Sequence, residues 1–131
     1  MATLFSRIAS GEIPSYKIAE DENFFAFLDI SPLAPGHTLV IPRKEVDYLF
    51  DLDQETYEAL WNFTRRIAKA MKKALPCLRI GVAVIGLEVP HAHIHLVPLN
   101  NMDDINFSRP KLKLPPGEMA GIANSIILEL E

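Results

Sequence analysis

Three histidines alternate with small or apolar residues in the second half of the chain, at His91, His93 and His95. If this stretch is a β-strand, alternate side chains point the same way, and the three imidazoles share one face. At about 6.6 Å per two residues, such a row spans roughly 13 Å. Burying three imidazoles in register needs a partner for each polar nitrogen, so the pattern indicates a functional site more than core packing.

A row of imidazoles is suited to two kinds of chemistry. One is metal ligation, because imidazole is a common zinc ligand and spaced histidines can reach one ion. The other is nucleophilic attack on phosphorus, because imidazole is largely unprotonated near neutral pH and also leaves readily. In that case protonated neighbours can neutralise the charge that develops on the phosphoryl oxygens. The spacing alone leaves both alternatives open.

Composition limits the classes of protein that could carry this triplet. The 131 residues are 49% hydrophobic, which fits one globular domain over residues 1–131. The net charge is −4 and no basic stripe is visible, which argues against a nucleic-acid polymer as partner. A single cysteine, Cys77, excludes an intramolecular disulfide. Without a signal-peptide pattern or an apolar run of about 20 residues, we expect a cytoplasmic protein with no membrane partner.

Five short segments have the composition of strands that could position the triplet. The first two are separated by a polar turn and predict a hairpin. The third is rich in β-branched residues and ends at a proline. In chain order the predicted strands are Ser15–Ala19, Phe24–Asp29, His37–Ile41, Arg79–Ile85 and His91–Leu99.

Two main helices and one short helix complete the predicted elements. The clearest runs from Asp53 to Leu75, with Asp53 as N-cap and apolar residues at three- and four-residue steps. A second main helix follows Pro116, and residues 4–10 predict a short one. The polar stretch 100–114 is expected to lie extended on the surface. Without regular alternation of strands and helices, the pattern favours an α+β fold with an antiparallel sheet of about five strands.

The sequence around the triplet resembles a known family. The triplet continues into apolar residues up to Leu99, and the blocks Phe5–Pro14 and Phe27–Pro42 contain Ile-x-x-Gly-Glu-Ile-Pro and Asp-Ile-Ser-Pro-Leu-Ala-Pro-Gly-His-Thr-Leu-Val-Ile-Pro. Together these stretches are similar to the histidine triad (HIT) family of nucleotide-binding proteins, and in particular to its Hint-like branch. The resemblance frames most of the chain.

The resemblance implies a role for each of the four histidines. His93 matches the nucleophile that attacks the α-phosphate of a nucleotide and forms a covalent nucleotidyl-histidine. His95 matches a histidine that contacts the phosphate, and His37 matches a fourth histidine beside the triad. His91 matches the first member, which shapes the site through its side chain and through a carbonyl that orients the nucleophile. The implied activity is hydrolysis or nucleotidyl transfer on a purine nucleoside phosphoramidate, an acyl-adenylate or a dinucleoside polyphosphate.

The remaining implied residues bind the nucleoside or approach the phosphate. Asp29 matches an acidic residue that accepts hydrogen bonds from the ribose, although a turn-capping role is the alternative. The apolar residues that match the base pocket are Phe5, Ile8, Ile13, Phe27 and Ile30. Glu88 and Val89 precede the triplet and are expected against the substrate. Hint-type members carry Gln-Ser or Gln-Thr where this chain has Leu87 and Glu88, and an ionised Glu88 repels a phosphate unless it is paired or turned away.

The family also implies an assembly and leaves two competing functions. Members pair as homodimers with a continuous sheet, and the helix 53–75 and the strand 79–85 are our candidates for that contact. We expect no required cofactor and no metal. A non-catalytic nucleotide- or partner-binding module is the alternative that Glu88 suggests, and a metal site on the three histidines of the triplet is the second alternative.

Overall fold

Over residues 2–131, the range that the structure describes, the chain forms an antiparallel sheet with three α-helices in this computed structural model. The predicted α+β class is confirmed, with two main helices and one short helix as expected. In chain order the elements are α1 (Leu4–Ala9), β1 (Lys17–Glu20), β2 (Phe24–Leu28), β3 (Thr38–Pro42), α2 (Gln54–Ala74), β4 (Arg79–Ala83), β5 (Ile94–Leu99) and α3 (Pro116–Leu128).

The five strands form one sheet in the order β1-β2-β3-β5-β4, and every neighbouring pair is antiparallel. The predicted hairpin is the pair β1 and β2. Strand β5 lies between β3 and β4, so the segment that contains His95 occupies an inner position of the sheet. Its neighbour β3 begins directly after His37, and this arrangement brings His37 close to β5.

Helix α2 follows the predicted periodicity. The Asp53 carboxylate accepts a hydrogen bond from the amide of Thr56 at 3.1 Å, which satisfies one of the free donors of the first turn. Six buried positions form its inner face: Leu60, Phe63, Thr64, Ile67, Ala70 and Met71. None of the helices within residues 2–131 combines the length and the apolar character needed to cross a bilayer.

Strand β2 shows how the sheet serves two separate layers. Phe24, Ala26 and Leu28 pack into the cluster under α2 and α3, whereas Phe25 and Phe27 pack into a second cluster on the opposite face. This alternation follows from the two-residue period of a strand. The second cluster also contains Phe5 of α1, so the short helix covers the face of the sheet that carries the candidate site.

The predicted strand His91–Leu99 begins only at Ile94 in the structure. The amide of Ala92 donates to the carbonyl of Val46 at 2.7 Å, and the amide of His91 donates to the carbonyl of Val89 at 2.8 Å. Because these donors bond to groups outside the sheet, the first two histidines precede the strand. The expected single row of imidazoles on one strand face is therefore wrong.

Residues 106–114, which we call the covering segment, cross the sheet face near β5 without regular structure. A short 3-10 turn, Met102–Ile105, precedes the segment. The amide of Leu112 donates to the carbonyl of Pro32 at 2.9 Å, which ties the segment to the loop before β3. The ring of Phe107 lies 4.8 Å from that of His95. The stretch expected to lie on the surface thus also contacts the candidate site.

Candidate functional site

A cavity of about 550 Å³ opens on the sheet face that α1 covers. This volume is in the range of small-molecule sites. Eleven of the twelve site residues predicted from the sequence line it: Phe5, Ile8, Ile13, Phe27, Asp29, Ile30, His37, Glu88, Val89, His93 and His95. His91 is not among the described residues that line it. Eleven of the predicted residues therefore share one cavity, whereas the His91 side chain lies outside it.

One ring nitrogen of His93, Nε2, has a free lone pair when the ring is neutral. Its Nδ1 donates to the carbonyl oxygen of His91 at 2.7 Å, because a carbonyl only accepts. In the neutral ring the proton is therefore on Nδ1, and Nε2 is unprotonated. The ring of Phe5 contacts His93 edge-on at 4.8 Å between centroids and restricts its orientation. His93 thus has the tautomer that a nucleophilic imidazole requires.

His95 has the opposite tautomer, and a main-chain group fixes it through His37. The amide of Leu33 donates to Nδ1 of His37 at 3.0 Å, so the proton of neutral His37 is on Nε2. That Nε2 donates to Nδ1 of His95, also at 3.0 Å. Nε2 of His95 therefore carries a proton. Since the rings of His93 and His95 are 4.9 Å apart, a lone pair and an N–H donor are neighbours in the cavity.

Burial keeps this pair of histidines uncharged. Desolvation, reinforced by the neighbouring His95, lowers the pKa of His37 to about 3. Desolvation, reinforced by His93, lowers the pKa of His95 to about 4. At neutral pH both side chains therefore contribute hydrogen bonds and no positive charge. The sequence-based picture of protonated neighbours that neutralise a phosphoryl group does not apply to these two residues.

The His91 side chain is a buried link between α1 and β3. Its Nε2 donates to the carbonyl of Pro42 at 2.7 Å, and its Nδ1 accepts from the hydroxyl of Thr3 at 2.6 Å. The side chain is 0% exposed, and burial lowers its pKa. Because both ring nitrogens have partners, this side chain holds the backbone of His91 in place. The main-chain carbonyl of His91 in turn orients the ring of His93.

Asp29 lies at the end of β2, where it caps a turn and also lines the cavity. One carboxylate oxygen accepts from the amide of Ser31 at 2.8 Å, which is the turn-capping role. The other oxygen is 3.8 Å from Nε2 of His37. Burial raises the pKa of Asp29 above its ordinary value. The capping role and a ligand-binding role are thus compatible, because one oxygen caps the turn and the other does not.

The geometry disfavours a metal ion on the triplet. His91 has no lone pair free for a cation, since its Nδ1 already accepts from Thr3. Within residues 2–131, the ligand atoms that converge within 4.8 Å belong instead to Asp29, His37 and His95. In that set the amide of Leu33 keeps the proton of His37 on Nε2, which is the atom that faces Asp29. A cation there would have to displace this proton.

Two residues of the covering segment reach the cavity and were missed by the sequence reasoning. Phe107 packs against the rings of His95 and His37, at 4.8 and 6.1 Å. Lys111 is the one lysine or arginine among the described residues that line the cavity. The segment has no periodicity to mark it, and an isolated aromatic in a polar stretch is the only signal that the sequence offers.

The buried histidines make stability depend on pH. The pKa of an unfolded histidine is near 6.5, whereas burial lowers the pKa of His37 in the folded chain to about 3. Between these values the unfolded chain binds a proton that the folded chain does not, so the free energy of unfolding decreases as the pH falls. We expect His37→Gln to reduce this slope by up to about 1.4 kcal/mol per pH unit between pH 6 and pH 4.5.

Urea unfolding at several pH values measures this slope for both chains. The comparison uses slopes, because the substitution also changes the hydrogen bond to His95 at every pH. Equal slopes in the two chains would show that His37 is not held neutral by the fold.

Known proteins match this chain in sequence and in structure. The family model described as HIT domain matches residues 10–102. A HIT-like protein of Borreliella burgdorferi is 35% identical over 113 residues, 81% of either chain. The adenosine 5′-monophosphoramidase of Saccharomyces cerevisiae is 39% identical over 98 residues, 74% of this chain and 62% of that protein. A Hit-like protein from Bartonella henselae superposes with a TM-score of 0.84 at 34% identity, covering 98% of this chain and 96% of that one. The chain therefore belongs to the HIT domain family.

Proposed function

We propose that this protein hydrolyses or transfers the nucleotidyl group of a purine nucleotide substrate through a covalent intermediate on His93. The observation that carries the proposal is the pair of opposite tautomers in the cavity. His93 offers an unprotonated Nε2, and His95 offers an N–H donor beside it. A nucleophile with an adjacent donor is what attack on a phosphoryl group requires.

The cavity has a separate place for each part of a nucleotide. Phe5, Ile8 and Phe27 form an apolar wall that suits a purine ring. The uncommitted oxygen of Asp29 suits the two hydroxyl donors of a ribose. With the nucleoside held in this way, the α-phosphate lies toward His93 and His95.

The proposed reaction has two displacement steps on phosphorus. In the first step the bond from Nε2 of His93 to phosphorus forms as the bond to the leaving group breaks, and the leaving group keeps the electron pair. His95 donates its Nε2 proton in a hydrogen bond to a phosphoryl oxygen or to the departing atom. In the second step water, or another acceptor, displaces the imidazole and loses a proton to the solvent, and Nε2 of His93 regains its lone pair.

The relatives support a nucleoside phosphoramidate as a substrate class. One of them, in budding yeast, is an adenosine 5′-monophosphoramidase, and one in fission yeast, 28% identical over 128 residues, has the same name. Acyl-adenylates and dinucleoside polyphosphates share the same α-phosphate and are further candidates. In this proposal the residues at the cavity rim, including Glu88, determine which of these substrate classes is preferred.

A substrate panel with a trapping step tests the proposal. We expect turnover of at least one of three adenosine compounds: the phosphoramidate, an acyl-adenylate or diadenosine tetraphosphate. Rapid quenching with a labelled substrate should yield one equivalent of nucleotide on His93, found by mass spectrometry of the digested protein. Clear binding of adenosine monophosphate with no turnover of any compound would instead support the non-catalytic binding module.

We also propose that two copies pair through β4, the edge strand beside β5. Val82 of this strand is 49% exposed, and the residues that follow the strand, Val84 and Ile85, are 39% and 46% exposed. An edge strand with exposed apolar residues is suited to pairing with a symmetry mate, which would make one sheet continuous across the dimer.

Light scattering at micromolar concentration is expected to give the mass of two chains. Val82→Lys should shift this mass toward that of one chain, because it places a charge on the pairing edge. Leu128→Lys, at a residue that is 83% exposed on α3, is the matched control and should leave the mass unchanged. A monomeric wild type, or a control that dissociates equally, contradicts pairing through β4.

A further inference from the structure

The one cationic side chain among the described residues of the cavity lining is held in a defined position. The ammonium group of Lys111 donates to the carbonyl of Phe107 at 2.6 Å and to that of Arg109 at 3.3 Å. It also lies 5.8 Å from the centre of the Phe107 ring. Since an ammonium group has three protons, one remains for a ligand. The side chain is exposed, but its head group is less free than that of an ordinary surface lysine.

The covering segment fixes Lys111 relative to the histidines. Phe107 packs on His95, and the amide next to Lys111, that of Leu112, donates to Pro32 in the loop between Asp29 and His37. The ammonium group of Lys111 donates to the main-chain carbonyl of Phe107, the residue whose ring lies 4.8 Å from that of His95. This places the charge on the His95 side of the cavity.

The rest of the cavity offers an anion no other positive charge from lysine or arginine among the described lining residues. His37 and His95 stay neutral at pH 7 because burial lowers the pKa of both side chains. On the β4–β5 loop the rim residue is Glu88, a carboxylate. A ligand with a second negative group beyond the α-phosphate is therefore repelled on the Glu88 side and attracted on the Lys111 side.

We propose that Lys111 forms a subsite for an anionic leaving group, the phosphate attached to the α-phosphate, and so directs this enzyme toward nucleotides with a phosphate chain. This inference rests on the proposed function, because it assigns a leaving group to the reaction at His93. Lys111 acts as a specificity residue: its N–H binds an oxygen of the departing phosphate.

The charge balance of the first step explains the preference. When the bond from His93 to phosphorus forms, the bond between the α-phosphorus and the bridging oxygen breaks, and the departing phosphate takes the electron pair. Lys111 stabilises this added negative charge without giving up its proton. An amine that leaves from a phosphoramidate takes up a proton from the solvent and becomes neutral or cationic, so it gains nothing from a positive neighbour.

The test compares two substrates in each of three variants. We expect Lys111→Gln to lower the ratio of kcat/KM for diadenosine tetraphosphate to kcat/KM for adenosine 5′-phosphoramidate by about 10-fold, the effect of one charged hydrogen bond. Lys111→Arg should largely restore the ratio because it keeps the charge. Lys113→Gln removes an exposed lysine that is not in the cavity lining, and should leave the ratio as in the wild type.

A binding experiment separates failure of this inference from failure of the proposed function. Isothermal titration of wild type and Lys111→Gln with adenosine mono- and diphosphate should show that the preference for the diphosphate falls in the variant, whether or not catalysis occurs. An unchanged preference and an unchanged kcat/KM ratio would overturn the subsite and leave His93 chemistry in place. No binding of either nucleotide to the wild type would overturn both the proposed function and the subsite.

Discussion

His93→Asn should reduce turnover of every substrate by about 10⁴-fold or more, because the proposed covalent intermediate forms on the imidazole of His93. Asparagine is the sharpest replacement, since its side-chain amide can still donate to the carbonyl of His91 that now accepts from His93. The apolar wall and Asp29 are untouched, so adenosine monophosphate should still bind. Single-turnover kinetics measure the chemical step, and isothermal titration measures binding.

The free energy of unfolding of His93→Asn shows whether a loss of turnover comes from a loss of folding. His93 borders the cavity, so its replacement leaves few buried groups without partners, and the free energy of unfolding should change by about 1 kcal/mol or less. Activity within about 10-fold of the wild type, in a variant that folds and binds normally, would contradict a nucleotidyl-histidine at this position.

His91→Ala should have the opposite profile, with a large loss of stability. The substitution removes a fully buried ring and leaves the hydroxyl of Thr3 and the carbonyl of Pro42 without their partner. Cavity formation and unpaired polar groups together are expected to lower the free energy of unfolding by about 2–4 kcal/mol. Urea unfolding at pH 7 measures it.

The activity of the folded fraction distinguishes this role from a catalytic one. At low temperature, where His91→Ala remains folded, we expect turnover to fall far less than in His93→Asn, because the carbonyl of residue 91 is still present. If stability is unchanged and turnover falls as much as in His93→Asn, the His91 side chain acts in the chemistry and the structural role is wrong.

Local sequence signals predicted the elements of this fold well. The Asp53 cap and the apolar period of α2, and the polar turn between β1 and β2, are decided by residues a few positions apart. The motif then located His93, His95 and His37 in one cavity. These features are accessible from sequence because each depends on short-range chemistry or on a pattern that the family carries.

The features that the sequence could not supply depend on distant parts of the chain. His91 leaves the strand because the amide of Ala92 bonds to Val46, which is far away in sequence. The contact between His37 and His95 depends on the register of β3 against β5. Lys111 enters the cavity along an irregular segment that is held by the packing of Phe107 on His95 and by the bond from the amide of Leu112 to Pro32. None of these contacts leaves a periodic trace in the residues themselves.

Main-chain groups determine which ring nitrogen of each histidine at this site carries the proton. The partners that decide them are the amide of Leu33 and the carbonyls of Pro42 and His91. An amino-acid replacement at Leu33 leaves its amide in place unless the newcomer is proline, and any residue at 42 or 91 supplies a carbonyl. Point mutations of the residues around the histidines are therefore expected to have little effect on which ring nitrogen carries the proton. Insertions or deletions in the loops at 29–37 and 42–46 would move these main-chain groups, so a change in loop length is expected to alter the tautomers of the histidines.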